Sequence, residues 1–187
     1  MINQSVKTNL IKMDAEEKQP EVWMRGPIPQ VPALLQPVAH AILQVNEDIQ
    51  KIDSEKYEKQ LWIKPYGMAS IAFHLQHIAG VIDRLMTYSR GKTLNEEQFD
   101  YLSQEGQRND NLCLEDLKGN VERTVAVFIA ALKHINPDSL TEERFLGRKK
   151  IPTTQIGLLF HAAEHAQRHY GQLLVTLNLL HHMDHTA

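Results

Sequence analysis

Three histidines, His161, His165 and His169, follow one another at intervals of four residues in the C-terminal part of the chain. On an α-helix, residues four positions apart lie on the same face. The same predicted face carries four apolar residues, Leu158, Ala162, Leu173 and Leu180. The imidazoles are therefore expected to point toward a core. Imidazole nitrogen is a common ligand of zinc, nickel and iron, so the spacing predicts a metal site.

A second helix-forming segment, residues 70–80, offers the further ligand that a three-histidine site needs. It contains His74 and His77, which lie three residues apart on the flank of an apolar stripe. If this helix lies beside the C-terminal helix, His77 can meet His165 and His169 in the interior, because metal sites in bundles are built from facing helices. Three protein ligands leave a coordination position open, as in catalytic zinc sites.

Two alternatives stay open around these ligands. His74 and His161 could replace His77 and His169 as ligands of the same metal. Either His74 or His161 could instead fill a fourth coordination position, and a closed site of that kind is typical of structural rather than catalytic zinc.

Other polar residues of the C-terminal helix are weaker candidates for the site. Gln172 and Thr176 continue the histidine face, and either could form a hydrogen bond with a ligand or a substrate. Glu164 is turned away from the predicted ligands by helical geometry. It is expected to form a surface ion pair with Arg168, which follows four residues later.

Four amphipathic helices account for the apolar periodicity of the chain. They are predicted over residues 33–52, 68–90, 114–135 and from Thr153 or Thr154 to about Leu180, with a short extra helix over 94–102. No segment predicts a strand. Helices of this length bury their apolar faces best against one another, so the fold class is all-α, a four-helix bundle over residues 33–180. Residues 1–32 are expected to form an arm with a proline-rich connector, and residues 181–187 a flexible tail.

Composition narrows the class of protein further. The chain has 187 residues and a net charge of −3, which argues against a nucleic-acid-binding surface of the broadly basic kind. Cys113 is the only cysteine, so no disulfide can form within the chain, which fits a reducing cytoplasm. No stretch resembles a signal peptide or reaches membrane-spanning length. We therefore expect a cytoplasmic protein without a nucleic-acid or membrane partner.

Two motifs resemble those of the DinB-like (DNA-damage-inducible) superfamily. One is Ser-Ile-Ala-Phe at residues 70–73, followed by His77-Ile-Ala. The other is His165-Ala-Gln-Arg-His169-Tyr-Gly-Gln172. The resemblance implies an antiparallel four-helix bundle with a metal held by His77, His165 and His169, and a homodimer. His74 and His161 lie outside the family pattern, and Tyr170 stands where an arginine is common.

The resemblance also implies a choice of functions. Members of the family include metal-dependent hydrolases and proteins that transfer low-molecular-weight thiols such as bacillithiol or mycothiol. The leading hypothesis is therefore an enzyme with one divalent transition metal, zinc first and nickel, iron or manganese after it, acting on a small-molecule substrate. One alternative is a non-catalytic bundle in which the metal is structural, or a stress-related interaction protein. Another is a metal-free network of buried histidines.

Overall fold

Four long helices carry most of the apolar residues that the structure buries. The computed structural model describes residues 19–184; residues 1–18 of the predicted arm and residues 185–187 of the predicted tail lie outside that range. The helices are α1 (Gln36–Gln50), α2 (Ser54–Tyr57), α3 (Ile71–Ser89), α4 (Glu96–Gln104), α5 (Leu114–Leu132) and α6 (Gln155–Asp184). The structure is mainly helical, and each of the four predicted long helices is present as α1, α3, α5 or α6.

Local sequence sets where these helices begin. Pro37 lies in the first turn of α1, where its missing N–H costs nothing. The hydroxyl of Ser70 accepts a hydrogen bond from the backbone N–H of Phe73 and so caps α3. At the start of α6, the Thr154 hydroxyl accepts from the N–H of Gly157. This agrees with the prediction that the last helix starts at Thr153 or Thr154, since Thr154 is the residue just before α6.

The helices α3 and α6 run in opposite directions against each other. Three contacts along their length pair Ala69 with Thr176, His77 with His165, and Ser89 with Gln155. As the residue number rises along α3, the number of its partner falls along α6. The antiparallel packing brings the histidine-bearing turns of the two helices face to face. Helix α1 contacts α5 and α6, and α3 contacts α5 and α6.

The all-α prediction is wrong in one respect, because the chain contains a small antiparallel sheet. Strand β1 (Glu143–Leu146) pairs with β2 (Ile151–Thr154), and Glu143 lies opposite Thr154. Each strand has only four residues, and Pro152 interrupts the apolar alternation, so no strand pattern was visible. The left-handed backbone of Gly147 closes the hairpin.

Several helix ends also differ from the predicted ones. The last helix continues beyond Leu180 to Asp184, so His181 and His182 belong to α6 rather than to a frayed tail. The first helix is shorter, because Ala33–Leu35 forms a separate 3-10 turn before α1. The short helix predicted over 94–102 is present as α4. No helix among the described residues is long and apolar enough to cross a bilayer.

Candidate metal centre

Facing turns of α3 and α6 bring three predicted ligands together. Helix α3 contributes His77, and α6 contributes His165 and His169 from successive turns. One ring nitrogen of each lies within 4.8 Å of those of the other two, so the group could hold a metal ion. The Nε2 atoms of His77 and His165 are 3.0 Å apart. All three residues are half-buried.

A buried carboxylate orients His77. The Nδ1–H of His77 donates to Oε2 of Glu105 over 2.6 Å, and the other carboxylate oxygen accepts from Nη1 of Arg84, also over 2.6 Å. Only 4% of the Glu105 side chain is exposed. With Nδ1 used as a donor, Nε2 of His77 presents its lone pair to the other two histidines. Carboxylate–histidine pairs of this kind fix the ring and raise its basicity at metal sites.

The position of Glu105 depends on how α4 is attached to α3. The Tyr101 hydroxyl donates to the backbone oxygen of Gln76, and the N–H of Gly106 donates to the side-chain oxygen of the same residue. These two bonds hold the chain on either side of Glu105. Gly80, in the middle of α3, leaves the space that the carboxylate fills, because a Cβ there would collide with Glu105 and Arg84.

A second hydrogen-bonded chain orients His169. The Thr176 hydroxyl donates to the backbone oxygen of Ala69 and therefore accepts from Nε2–H of His74, 3.5 Å away. Nδ1 of His74 is then the acceptor for Nδ1–H of His169, over 3.3 Å. This assignment of the protons leaves Nε2 of His169 with a free lone pair. His74 thus supports His169 from behind instead of joining the group.

Burial keeps these rings uncharged at neutral pH. It lowers the pKa of His74, His165 and His169 to about 4 in each case, and the neighbouring His77 contributes to each shift. Neutral imidazole is the form that binds metal ions. The Nδ1 atom of His165 is buried and has no hydrogen-bond partner among the described residues. Both observations fit a group of histidines arranged to hold a metal ion.

The predicted alternatives for the ligand set are placed differently. Two groups of residues between 19 and 184 could hold a metal ion, and neither contains His74. The second group is His161, Glu164 and His165. Glu164 forms the predicted ion pair with Arg168, but it also accepts a hydrogen bond from His161, which sequence reasoning missed. Thr176 reaches the site through His74, whereas Gln172 is exposed.

A cavity of about 300 Å³ lies next to Phe73 and Glu105, two residues that contact His77. Its lining includes Lys64, Met68, Phe73, Glu105 and Gly106. The Phe73 ring stacks on His77, with centroids 5.2 Å apart and planes 12° from parallel. Phe73 and Glu105 both contact His77 and both line the cavity. A small molecule held there would therefore be separated from His77 by a single side chain.

Sequence reasoning missed Glu105 and the buried ion pair that it forms with Arg84. Glu105 has no helical spacing to the histidines that a pattern could detect, whereas Arg84 lies seven residues after His77 on the same helix. The one available signal for Glu105 was its place in the long connection between the second and third predicted helices.

The chain was compared with known families and with curated proteins. The family model of the DinB superfamily matches residues 20–173, a range that includes His77, His165 and His169. Comparison with curated proteins gives no match.

Proposed function

The chain belongs to the DinB superfamily, and on that premise we propose that it is a metal-dependent enzyme whose one divalent transition metal is held by His77, His165 and His169. The observation that carries the proposal is the convergence of three imidazole nitrogens within 4.8 Å, with a cavity lined by two neighbours of His77, Phe73 and Glu105. Zinc is the first candidate, because nitrogen ligands suit it, and nickel, iron and manganese follow, since three nitrogens select weakly among them.

The finer architecture that we propose is the antiparallel four-helix bundle of the DinB type, formed by α1, α3, α5 and α6. Two observations support it. Each of these helices contacts two of the others, and α3 and α6 run antiparallel. In such a bundle, ligands project inward from facing helices, and the histidines of α3 and α6 have that relation to each other.

The proposed reaction is hydrolysis of a small molecule or transfer of a low-molecular-weight thiol to it. When bound, a divalent ion supplies Lewis acidity, which activates a water or thiol nucleophile at neutral pH. The residues of the chain orient the metal ligands and bind the substrate. Glu105 holds the His77 ring, and His74 holds the His169 ring. The cavity beside Phe73 is the proposed place for the substrate, and Lys64 at its edge favours an anionic group there.

The second candidate is a non-catalytic protein whose metal joins α3 to α6. One observation favours it: His161 lies next to His165, with ring centroids 5.2 Å apart, and could supply a fourth ligand. A metal closed in by four protein ligands has no position for a substrate.

Turnover by metal-loaded protein tests the enzyme proposal. We expect the full chain, stripped of metal and reloaded with zinc or nickel, to bind one equivalent. The loaded form should hydrolyse activated esters, or join bacillithiol, mycothiol or cysteine to an aryl halide, whereas the stripped form should not. The His40→Ala variant is a matched control, because His40 is half-buried, bonds the backbone oxygen of Gly26 and belongs to neither group of possible ligands. One equivalent of metal without turnover of any of these substrates would favour the structural role.

We also propose a homodimer. The outer surface of α6 exposes three large apolar side chains, Phe160, Leu174 and Val175. A second copy of the chain could cover them, as expected for an interface core. Sedimentation equilibrium should give twice the mass of the chain, and Val175→Glu should shift the protein toward monomer. A wild-type chain that sediments as a monomer at micromolar concentration would contradict the proposal.

A further inference from the structure

A second group of possible ligands shares one histidine with the proposed metal centre. One atom each from His161, Glu164 and His165 lies within 4.8 Å of the other two. The first two residues are one turn of α6 or less from His165. The family motif does not include them, and the proposed enzyme mechanism gives them no task. We call His161, Glu164 and His165 the outer group, and His77, His165 and His169 the inner group.

The two groups differ in their exposure to solvent. The side chains of His161 and Glu164 are 38% and 33% exposed, whereas that of His77 in the inner group is 18% exposed. Behind the inner group lie the buried Glu105 and His74. A metal ion arriving through the outer group would therefore meet the most exposed ligands first.

His165 is a member of both groups and so connects them. Its Nε2 faces His77 over 3.0 Å, and its ring stacks on His169 with centroids 4.8 Å apart. On the other side, the ring of His161 meets it edge-on at 5.2 Å. Its Nδ1 atom, buried and without a partner among residues 19–184, remains available to a ligand.

The ligands of the outer group are occupied by replaceable contacts. His161 Nδ1 bonds Oε1 of Glu164 over 2.9 Å, and Arg168 bonds both oxygens of the same carboxylate. The Arg168 contact is an exposed ion pair and the His161 contact a partly buried hydrogen bond, both within one helix, and contacts of this kind contribute little to stability. An incoming divalent ion could displace them at low cost, because the carboxylate and imidazole would gain a stronger partner.

We propose that His161, Glu164 and His165 form an entry site, which a divalent metal ion occupies transiently before it moves to His77, His165 and His169. The inference rests on the proposed metal centre. Because both groups need His165, the ion occupies one group at a time, and the protein holds one equivalent at equilibrium.

Stopped-flow loading of the stripped full chain with zinc, followed by a chromogenic indicator, tests the entry site. We expect His161→Ala and Glu164→Gln each to slow metal uptake about tenfold, the change that one lost ligand at the barrier would produce. Removal by an excess of chelator should slow by the same factor, because entry and exit use the same route. The dissociation constant at equilibrium should therefore stay nearly unchanged.

Arg168→Gln gives a test in the opposite direction. It frees the Glu164 carboxylate and removes a positive charge, so uptake should become faster. His161→Ala separates ligation from electrostatic steering. If the charge of Glu164 only steered the ion, metal uptake by His161→Ala would be as fast as in the wild type, and the effect of Glu164→Gln would weaken with salt. His40→Ala serves as the control. His181, His182 and His185 are present in every variant, and a competing chelator in the titrations restricts the measurement to sites of higher affinity.

The outcomes separate this inference from the proposed function. One equivalent in every variant, with uptake slowed in His161→Ala and Glu164→Gln, supports both. One equivalent with unchanged uptake rates overturns the entry site and leaves the metal centre intact. Two equivalents in the wild type that fall to one in His161→Ala overturn the transient role, because both groups would then be filled together. No bound metal in any variant overturns the metal centre, and the entry site with it.

Discussion

Replacing both His165 and His169 with alanine is expected to abolish metal binding, from one equivalent to none. The two residues supply both ligands that α6 contributes to the inner group, and the ring nitrogens of all three members lie within 4.8 Å of one another. A single remaining imidazole, that of His77, cannot hold a divalent ion against a chelator. Elemental analysis of the purified full chain, after dialysis against a weak chelator, measures the loss.

Two further variants make this result specific. His77→Ala should also lose the metal, which would show that α3 and α6 share it. His40→Ala should retain it. Circular dichroism should show that the double variant keeps its helices, since the exchanged rings are only half-buried. Metal retained by a folded double variant would contradict the proposed ligands and support the reading in which the histidines form only a hydrogen-bonded network.

The helices and the position of the histidines follow from periodicity, which is local. An interval of four residues places His165 and His169 on one face of a helix, independently of how the helix packs. His74 and His77 are harder to tell apart, because residues three apart share a face and both flank the apolar stripe of α3. Only packing against α6 separates them. It places His77 opposite His165 and leaves His74 behind His169, against Thr176.

Two kinds of feature could not be predicted: contacts between residues distant in sequence, and elements too short to show a periodic pattern. Glu105 lies 28 residues beyond His77, just after the end of α4, and its place depends on the bonds that Tyr101 and Gly106 make to Gln76. The hairpin of β1 and β2 is too short to display alternation. The His161–Glu164 bond is local, but the pairing of Glu164 with Arg168 was the stronger helical expectation, and one carboxylate accepts from both.

Replacing Glu105 with alanine is expected to cause the largest loss of stability among the variants of the site. The carboxylate is the partner of Arg84, whose side chain is only 9% exposed, so the change leaves a buried guanidinium without that partner. Removing one member of a buried ion pair costs about 3–5 kcal/mol of unfolding free energy. Urea denaturation of the stripped full chain measures this term without any contribution from metal.

The same variant should also bind metal more weakly, through a separate cause. Without the Glu105 oxygen, His77 loses the acceptor that fixes its ring, and loss of such a partner lowers metal affinity roughly 10–100-fold. The double variant Arg84→Met, Glu105→Leu separates the two causes. It removes both charges together, so it should recover most of the stability, while its metal affinity should stay as low as that of Glu105→Ala. Recovery of both properties would show that Glu105 acts on the metal centre only through the stability of the fold.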